Sequence, residues 1–546
     1  MSAAANSNPV IRNPILRGFN PDPSILRVGN DYYIATSTFE WFPGVQIHHS
    51  LDLANWRLLT RVLDRRSQLD MVGNPDSGGI WAPCLTHADG LFHLIYTDVK
   101  YWKRDPYKVA YNYLVTAPAI TGPWSEPVLL NGSGFDPSLF HDDDGRKWLL
   151  NMLWDHRMQH QRFAGILLQE FCPVTRTLVG PVRKIFTGTD RGLVEGPHLY
   201  KHRGYYHLLT AEGGTEYPHA ATLARSRRIE GPYEVHPQQH LLSSWGHPEA
   251  PLQKAGHGSL VETQHGEWFL AHLCGRPIDG KHCILGRETA IQKCAWGDDD
   301  WLYLRHGGMV PGLTTDGPAG IPPAPFTHAP WGGRFDAGEL DINFQSLRQP
   351  VTEDWLSLAE RPGYLRLKGH EPTISLFRQS LIARRVQSFD VCVETTVEFQ
   401  PETFQQMAGL IAYYDTENHY YLRLSHDEEL GRSLNIIATD AAVSCEVLTE
   451  SVPVPGRGQV HMRLTLNHAD LRFEYALPDG AWLPVGPVLN GAVLSDDYSH
   501  LGFTGAFVGL CCQDISGRHL HADFSRFLYR EEGPRQSTCL SLSETT

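Results

Sequence analysis

The chain has no run of 18 consecutive apolar residues, so no helix is expected to span a membrane. Basic charge is scarce. Lys plus Arg number 47 against 61 Asp plus Glu, a formal net charge of −14. That balance argues against nucleic acid and anionic membrane as partners. Long helical periodicity is missing, which argues against helix bundles and alternating α/β folds. The ten cysteines include no Cys-x-x-Cys pair and no zinc spacing. Most sit in apolar stretches, where a thiol acts as a small hydrophobe. A reduced, cytoplasmic setting is the expectation. The start, Met1-Ser2-Ala3-Ala4-Ala5-Asn6, shows no basic region followed by an apolar stretch, so no secretory signal is expected.

A repeated phrase stands out against these absences. Asp22 stands in Pro21-Asp22-Pro23-Ser24, Asp136 in Phe135-Asp136-Pro137-Ser138 and Glu195 in Glu195-Gly196-Pro197-His198. Two acid-free versions are Trp81-Ala82-Pro83-Cys84 and Gly256-His257-Gly258-Ser259. From Pro23 through Pro83, Pro137 and Pro197 to Gly258 the steps are 60, 54, 60 and 61 residues. Each phrase is followed by a Gly turn signal (Gly29, Gly90, Gly145, Gly204, Gly266) and then an aromatic-rich run. That pattern reads as a β-hairpin. The period suits a propeller blade of four strands.

Five repeats predict a five-bladed β-propeller over residues 1–310. In a propeller the innermost strands line one axis, so equivalent repeat positions meet there. The expectation is that Asp22, Asp136 and Glu195 share one repeat position and converge. A single Asp-Pro-Ser phrase is adequately read as turn chemistry; three acids in step with five repeats are not. His141-Asp142-Asp143-Asp144-Gly145 and Gly297-Asp298-Asp299-Asp300 read as solvated hairpin tips, because neither has the downstream Glu of a calcium loop.

At 546 residues the chain exceeds one ordinary core. Residues 311–332 are rich in Gly and Pro and read as a linker. Beyond them the repeat stops and strand-like alternation dominates, as in Val391 to Phe399 and Val460 to Leu466. Residues 333–532 read as an antiparallel β-sandwich. Residues 533–546 read as a mobile polar tail. The fold class is all-β.

Glycoside hydrolysis needs one carboxylic acid to protonate the leaving oxygen and a second carboxylate to activate water or attack carbon. A third nearby negative charge can hold the two in opposite protonation states. The residues also carry a resemblance. Gly18 to Ser24, Ser37-Thr38-Phe39-Glu40-Trp41-Phe42-Pro43-Gly44-Val45, Gly79-Ile80-Trp81-Ala82-Pro83, Gly134-Phe135-Asp136, Glu195 to Tyr200, Gly286-Arg287-Glu288-Thr289-Ala290 and Phe503 to Gly509 resemble glycoside hydrolase family 43, closest to its two-domain β-xylosidase branch.

The resemblance implies an inverting, exo-acting 1,4-β-xylosidase that releases xylose from the non-reducing end of xylo-oligosaccharides. It makes Asp22 the general base, Glu195 the general acid and Asp136 the residue that orients Glu195 and raises its pKa. By the same resemblance Phe39 and Trp81 wall the sugar pocket, Arg287 hydrogen-bonds the terminal sugar, and His257 lies on the axis near substrate. An aromatic of the second domain, Phe507 or Phe503, would close the pocket. Read alone, Arg287 would be a surface ion-pair partner, His257 a core histidine and Phe507 ordinary strand core. No cofactor is required. Some members hold calcium through waters at the axial histidine, so calcium near His257 is the one metal option. The branch commonly forms oligomers, so a homo-dimer or tetramer is expected. Only ten residues separate Arg276 from Arg287, a shorter loop than some relatives carry.

Rival readings are an α-L-arabinofuranosidase or a dual xylosidase/arabinofuranosidase, since arabinofuranose has similar bulk. A retaining fructan hydrolase is disfavoured, because its first acid lies in an Asn-Asp-Pro-type phrase and this chain has Asn20-Pro21-Asp22-Pro23. A non-catalytic sugar-binding propeller would have no need of three intact acids.

Overall fold

The computed structural model describes residues 10–103, 106–327 and 333–531. The tail expected to be mobile, and residues 328–332 of the expected linker, lie outside the described residues. Two compact units form. The first holds the chain up to 276 together with 287–327, and the second holds 277–286 together with the chain from 328 onward.

The first unit is a five-bladed propeller built from four-stranded antiparallel sheets, the fourth sheet carrying one extra short strand. Blade 1 shows the plan: Ser24–Val28, Asp31–Thr36, Gly44–Ser50 and Arg57–Leu63 follow one another outward from the axis. The expected hairpin turn falls between its first two strands, where Gly29 takes φ +63° at no steric cost. The innermost strands of blades 2 to 5 are Gly79–Ala88, Ser138–His141, Glu195–His202 and Gln253–Glu262. Apolar side chains of neighbouring blades fuse into shared clusters. Tyr33, Ile47, Leu85, Leu94 and Val115, for example, join blades 1 and 2.

Every blade is a contiguous stretch of chain, so the ring must be closed by other means. Val10–Arg12 pairs antiparallel with Thr314–Asp316. Asn13 donates from Nδ2 to Ile291 O (2.8 Å) and Gly312 O (3.0 Å), and its Oδ1 accepts from Ile291 N at 2.8 Å. Gly18 N donates to the buried Glu288 Oε1 at 2.8 Å. The expected linker is thus corrected over 311–327. Its Gly and Pro residues break regular strands, but Thr314–Asp316 is clamped to the start of the chain.

The second unit is an antiparallel β-sandwich. One sheet runs in the order Leu356–Ser357, Leu365–Lys368, His521–Glu531, Asp390–Glu398, Gln459–Asn467, Asp470–Ala476 and Leu483–Asn490. The other contains Gly431–Asp440, His419–Asp427, Gln406–Tyr413, Phe507–Asp514 and Ser380–Arg385. Alternation explains the burial. Val391, Val393 and Val397 face the core with Val460, Met462 and Leu464. The short segment 277–286 belongs to this unit: Ile284 and Leu285 sit in its core, and Ala506 N donates to Ile284 O at 2.9 Å.

Eight described cysteines are free thiols, six of them buried. Cys392 departs from the all-thiol expectation, because it is disulfide-bonded. No helix among the described residues is long and apolar enough to cross a membrane.

Candidate active site

The repeated phrase places a left-handed residue at the same point of all five blades. Asp22 (φ 54°), Ala82 (33°), Asp136 (55°), Gly196 (56°) and His257 (36°) all have positive φ. Register shifts mark this point as a bulge in blades 2, 4 and 5. Non-glycine residues in this region are strained and persist only where their surroundings hold them. The expectation of three acids at one repeat position is therefore corrected. Asp22 and Asp136 occupy the left-handed position, whereas Glu195 and Trp81 stand one residue earlier. The longer Glu side chain reaches the same cluster from its displaced start. Two residues after the left-handed position, Ser24, Cys84, Ser138, His198 and Ser259 line an axial cavity of about 230 Å³.

Asp22 is 5% exposed. Ser37 Oγ donates to its Oδ2 at 2.6 Å, and the same hydroxyl accepts from Ala82 N at 2.7 Å, tying blade 1 to blade 2. Arg287 Nη1 lies 3.3 Å from Asp22 Oδ1 and donates to Thr215 Oγ1 at 2.8 Å. His257 Nδ1 is 3.7 Å from Asp22 Oδ1. Burial pushes the Asp22 carboxyl upward, but Arg287, His257 and the Ser37 hydroxyl outweigh it and hold the group below the ordinary Asp value.

Glu195 behaves oppositely. Burial, then the Asp22 charge, push its carboxyl up to about 8, opposed by Arg287 and Lys108. Asp136 is raised well above its ordinary range by burial and by Glu195. The two repel each other and retain one proton between them. Gly196 N donates to Asp136 Oδ2 at 3.1 Å, a bond that favours the charged form of Asp136 and so leaves the proton on Glu195. Asp136 N in turn donates to Thr97 Oγ1 at 3.2 Å, which fixes the loop. The Asp22 charge and the neighbouring Asp136 both stand against ionisation of Glu195. Asp136 is thus bonded to the backbone next to Glu195.

The aromatic residues form a wall beside these acids. Phe39 lies 5.8 Å from Phe19 and 6.0 Å from Trp81, ring centre to ring centre. Trp81 meets Phe135 edge-on at 5.2 Å, and its Nε1 donates to Ser77 O at 2.9 Å. The Arg287 guanidinium sits 5.2 Å from the Phe39 ring centre. His257 is buried, and burial lowers its pKa against the opposing pull of the Asp22 charge. Its ring packs against Gly196, where an added Cβ would come within 3.0 Å of Cε1.

Asp22, Asp136, Glu195, Phe39, Trp81, His257 and Arg287 all belong to the first unit. Phe507 does not. It lies in the second unit, fully buried in a strand, with the Arg385 guanidinium 5.5 Å from its ring centre. Asp22 is the one carboxylate within ion-pair reach of His257 among the described residues, whereas calcium takes six to eight oxygen ligands. The only group of three potential metal ligands among the described residues is Cys283, Asp496 and Asp497, in the second unit.

Ser37, Thr215 and Lys108 were missed by sequence reasoning. Ser37 opens the motif Ser37 to Val45, and a hydroxyl there is the signal that marks a donor for Asp22. Lys108 Nζ lies 5.4 Å from the Trp81 ring centre and 4.6 Å from that of Trp154. Nothing in its local sequence marks it. The cluster can hold one carboxylate ionised and another protonated at the same pH, beside an apolar wall and a guanidinium suited to paired hydroxyls.

Known proteins match this arrangement. The model of glycosyl hydrolases family 43 matches residues 11–302, and that of the beta xylosidase C-terminal concanavalin A-like domain matches residues 333–530. The chain is 54% identical to the xylosidase/arabinosidase 43B of Humicola insolens, over 96% of this chain and 98% of that one. It is 52% identical to the beta-xylosidase of Bacillus subtilis strain 168, over 96% of this chain and 100% of that one. The solved xylan beta-1,4-xylosidase of Bacillus halodurans C-125 superimposes with a TM-score of 0.94 at 56% identity, covering 95% of this chain and 100% of that one. By sequence and by fold along nearly its whole length, the chain belongs to family 43 of the glycosyl hydrolases, with the C-terminal domain of its β-xylosidases.

Proposed function

We propose that the protein is an inverting, exo-acting 1,4-β-xylosidase that releases xylose from the non-reducing end of xylo-oligosaccharides. The observation that carries this reading is the opposed state of two buried carboxyls, Asp22 held low and Glu195 held near 8. In this mechanism Asp22 removes a proton from water as its oxygen attacks the anomeric carbon. Glu195 gives its proton to the leaving oxygen as the glycosidic bond breaks. Asp136 keeps the Glu195 backbone in place through Gly196 N. Arg287 serves both Asp22 and the sugar, and Phe39 and Trp81 flank a ring without a hydroxymethyl group.

A dual xylosidase/arabinofuranosidase is the second reading, favoured by the name of the Humicola insolens relative. Turnover of nitrophenyl β-xyloside and nitrophenyl α-arabinofuranoside, with proton NMR of the first sugar released from xylobiose, tests both. The expected result is faster turnover of the xyloside and α-xylose as first product. β-Xylose would overturn inversion, and an arabinoside preference would reverse the substrate assignment. In Glu195→Gln, hydrolysis of xylobiose is expected to fall by about 10²–10⁴-fold.

A further inference from the structure

Blade 3 carries a groove that the chemistry above does not use. Its strands Lys147–Trp154, Phe163–Cys172 and Thr177–Phe186 run side by side. Met152 N donates to Phe135 O (3.0 Å) and Trp154 N to Ser133 O (3.1 Å). The end of the first strand, the start of the second and the end of the third therefore lie on the same face as Asp136. There a groove of about 410 Å³ is lined by Asp155, Arg157, His160, Phe163, Lys184 and Thr187, among others.

The groove is continuous with the pocket wall. Phe163 meets Phe135 edge-on at 6.0 Å and Trp154 at 5.5 Å, and Phe135 meets Trp81. The strands Lys147–Trp154 and Phe163–Cys172 pack against Glu195–His202, which starts at the proposed general acid, so the groove lies on the side of that acid. That is the side on which the departing chain must lie.

Its charge is opposite to that of the molecule. Asp155 is the only carboxylate in the lining. It is occupied by Arg157 (Nε 2.9 Å, Nη2 2.6 Å) and by His160 Nδ1 at 3.1 Å. Lys184 has no ion pair or hydrogen-bond partner for its ammonium among the described residues. Its stem lies across Gly165, where an added Cβ would come within 2.9 Å of Cδ. A chain of net charge −14 thus presents one uncompensated cation beside a pocket of three acids. A neutral sugar has no use for that charge, whereas a carboxylate does.

We propose that this groove binds the uronic acid branch of a decorated xylo-oligosaccharide, its carboxylate on Lys184 and its ring against Phe163, while the main chain occupies the pocket. This rests on the xylosidase reading. The test compares kcat/KM for xylotriose and for xylotriose bearing one glucuronic acid branch, in the wild-type protein and in Lys184→Gln. The branched substrate is expected to lose about five- to tenfold in the variant, while the neutral one stays within about twofold. The wild-type protein is expected to prefer the branched substrate, and that preference to shrink as salt rises. Equal change in both substrates, or no change in either, overturns the proposal. Calorimetric titration of glucuronic acid onto the full chain separates the two readings. Binding lost in Lys184→Gln supports the groove even if neither oligosaccharide is cleaved, an outcome that would sink only the xylosidase reading. No binding to the wild-type protein removes the groove whatever the activity.

Discussion

Gly196 is placed so that a single methyl group would disturb two of the three acids. Its φ is +56°, and an added Cβ would press on the His257 ring at 3.0–3.3 Å. Its N–H is the donor to Asp136. Gly196→Ala is expected to lower kcat by at least tenfold while leaving the protein folded, checked by steady-state kinetics beside a melting curve. The same cluster sets the pH profile. Asp22 stays ionised down to below its ordinary value, because its folded pKa is lowered. Glu195 stays protonated up to about pH 8, because its pKa is raised. A plot of kcat/KM is therefore expected to fall above about pH 8, as the acid loses its proton. In Asp22→Asn the residual activity should lose its protonated acid at lower pH, because the Asp22 charge that raises Glu195 is gone. The acids themselves were legible in the sequence, since they sit in a counted repeat. Lys108 was not, because its ammonium gains its role only through folding beside partners in other blades.

The blades were legible as elements because Gly turns and aromatic runs recur at a near-fixed period. The one-residue offset of Glu195 and Trp81 was not, although the aligned prolines contained it. Proline spacing reports where the strand starts, whereas the left-handed bulge decides which residue faces the axis. The closing ribbon was also hidden: residues 10–13 and 312–316 form no hairpin with each other and meet only when the ring is complete. Asn13 holds three bonds at that seam, to Ile291 N, Ile291 O and Gly312 O. Asn13→Ala would leave these backbone groups unpaired in a part-buried setting. A loss of about 1–3 kcal/mol is expected from urea unfolding, with KM unchanged. A changed KM at unchanged stability would mean the seam supports the site directly.

Across the whole molecule, histidine is the unusual component. Burial holds His141, His198 and His219 at about 3 and His207, His236, His240 and His272 at about 4. Each folded value lies below the ordinary 6.5, so the unfolded chain takes up protons that the folded one refuses. The stabilisation is complete above about pH 6.5 and is lost as pH falls toward 4, by up to about 1.4 kcal/mol per pH unit for each group. Thermal unfolding is expected at progressively lower temperature from pH 7 to pH 4.5. A flat profile would refute this account. At this scale the two-unit plan was legible from the point where the repeat stops. The membership of 277–286 was not, because Ile284 and Leu285 become core only against strands that come two hundred residues later in the chain.

The order of synthesis gives the contiguous blades a further meaning. Asp22 is translated before its partner: Arg287, the cation that keeps it charged when buried, follows 265 residues later. Until blade 5 exists the carboxylate has no counter-ion, and the seam on which ring closure depends has no second strand. A ribosome-bound chain can finish blade after blade and still hold no hydrolytic centre. Whatever the protein cuts, it begins cutting only after the last blade has been made.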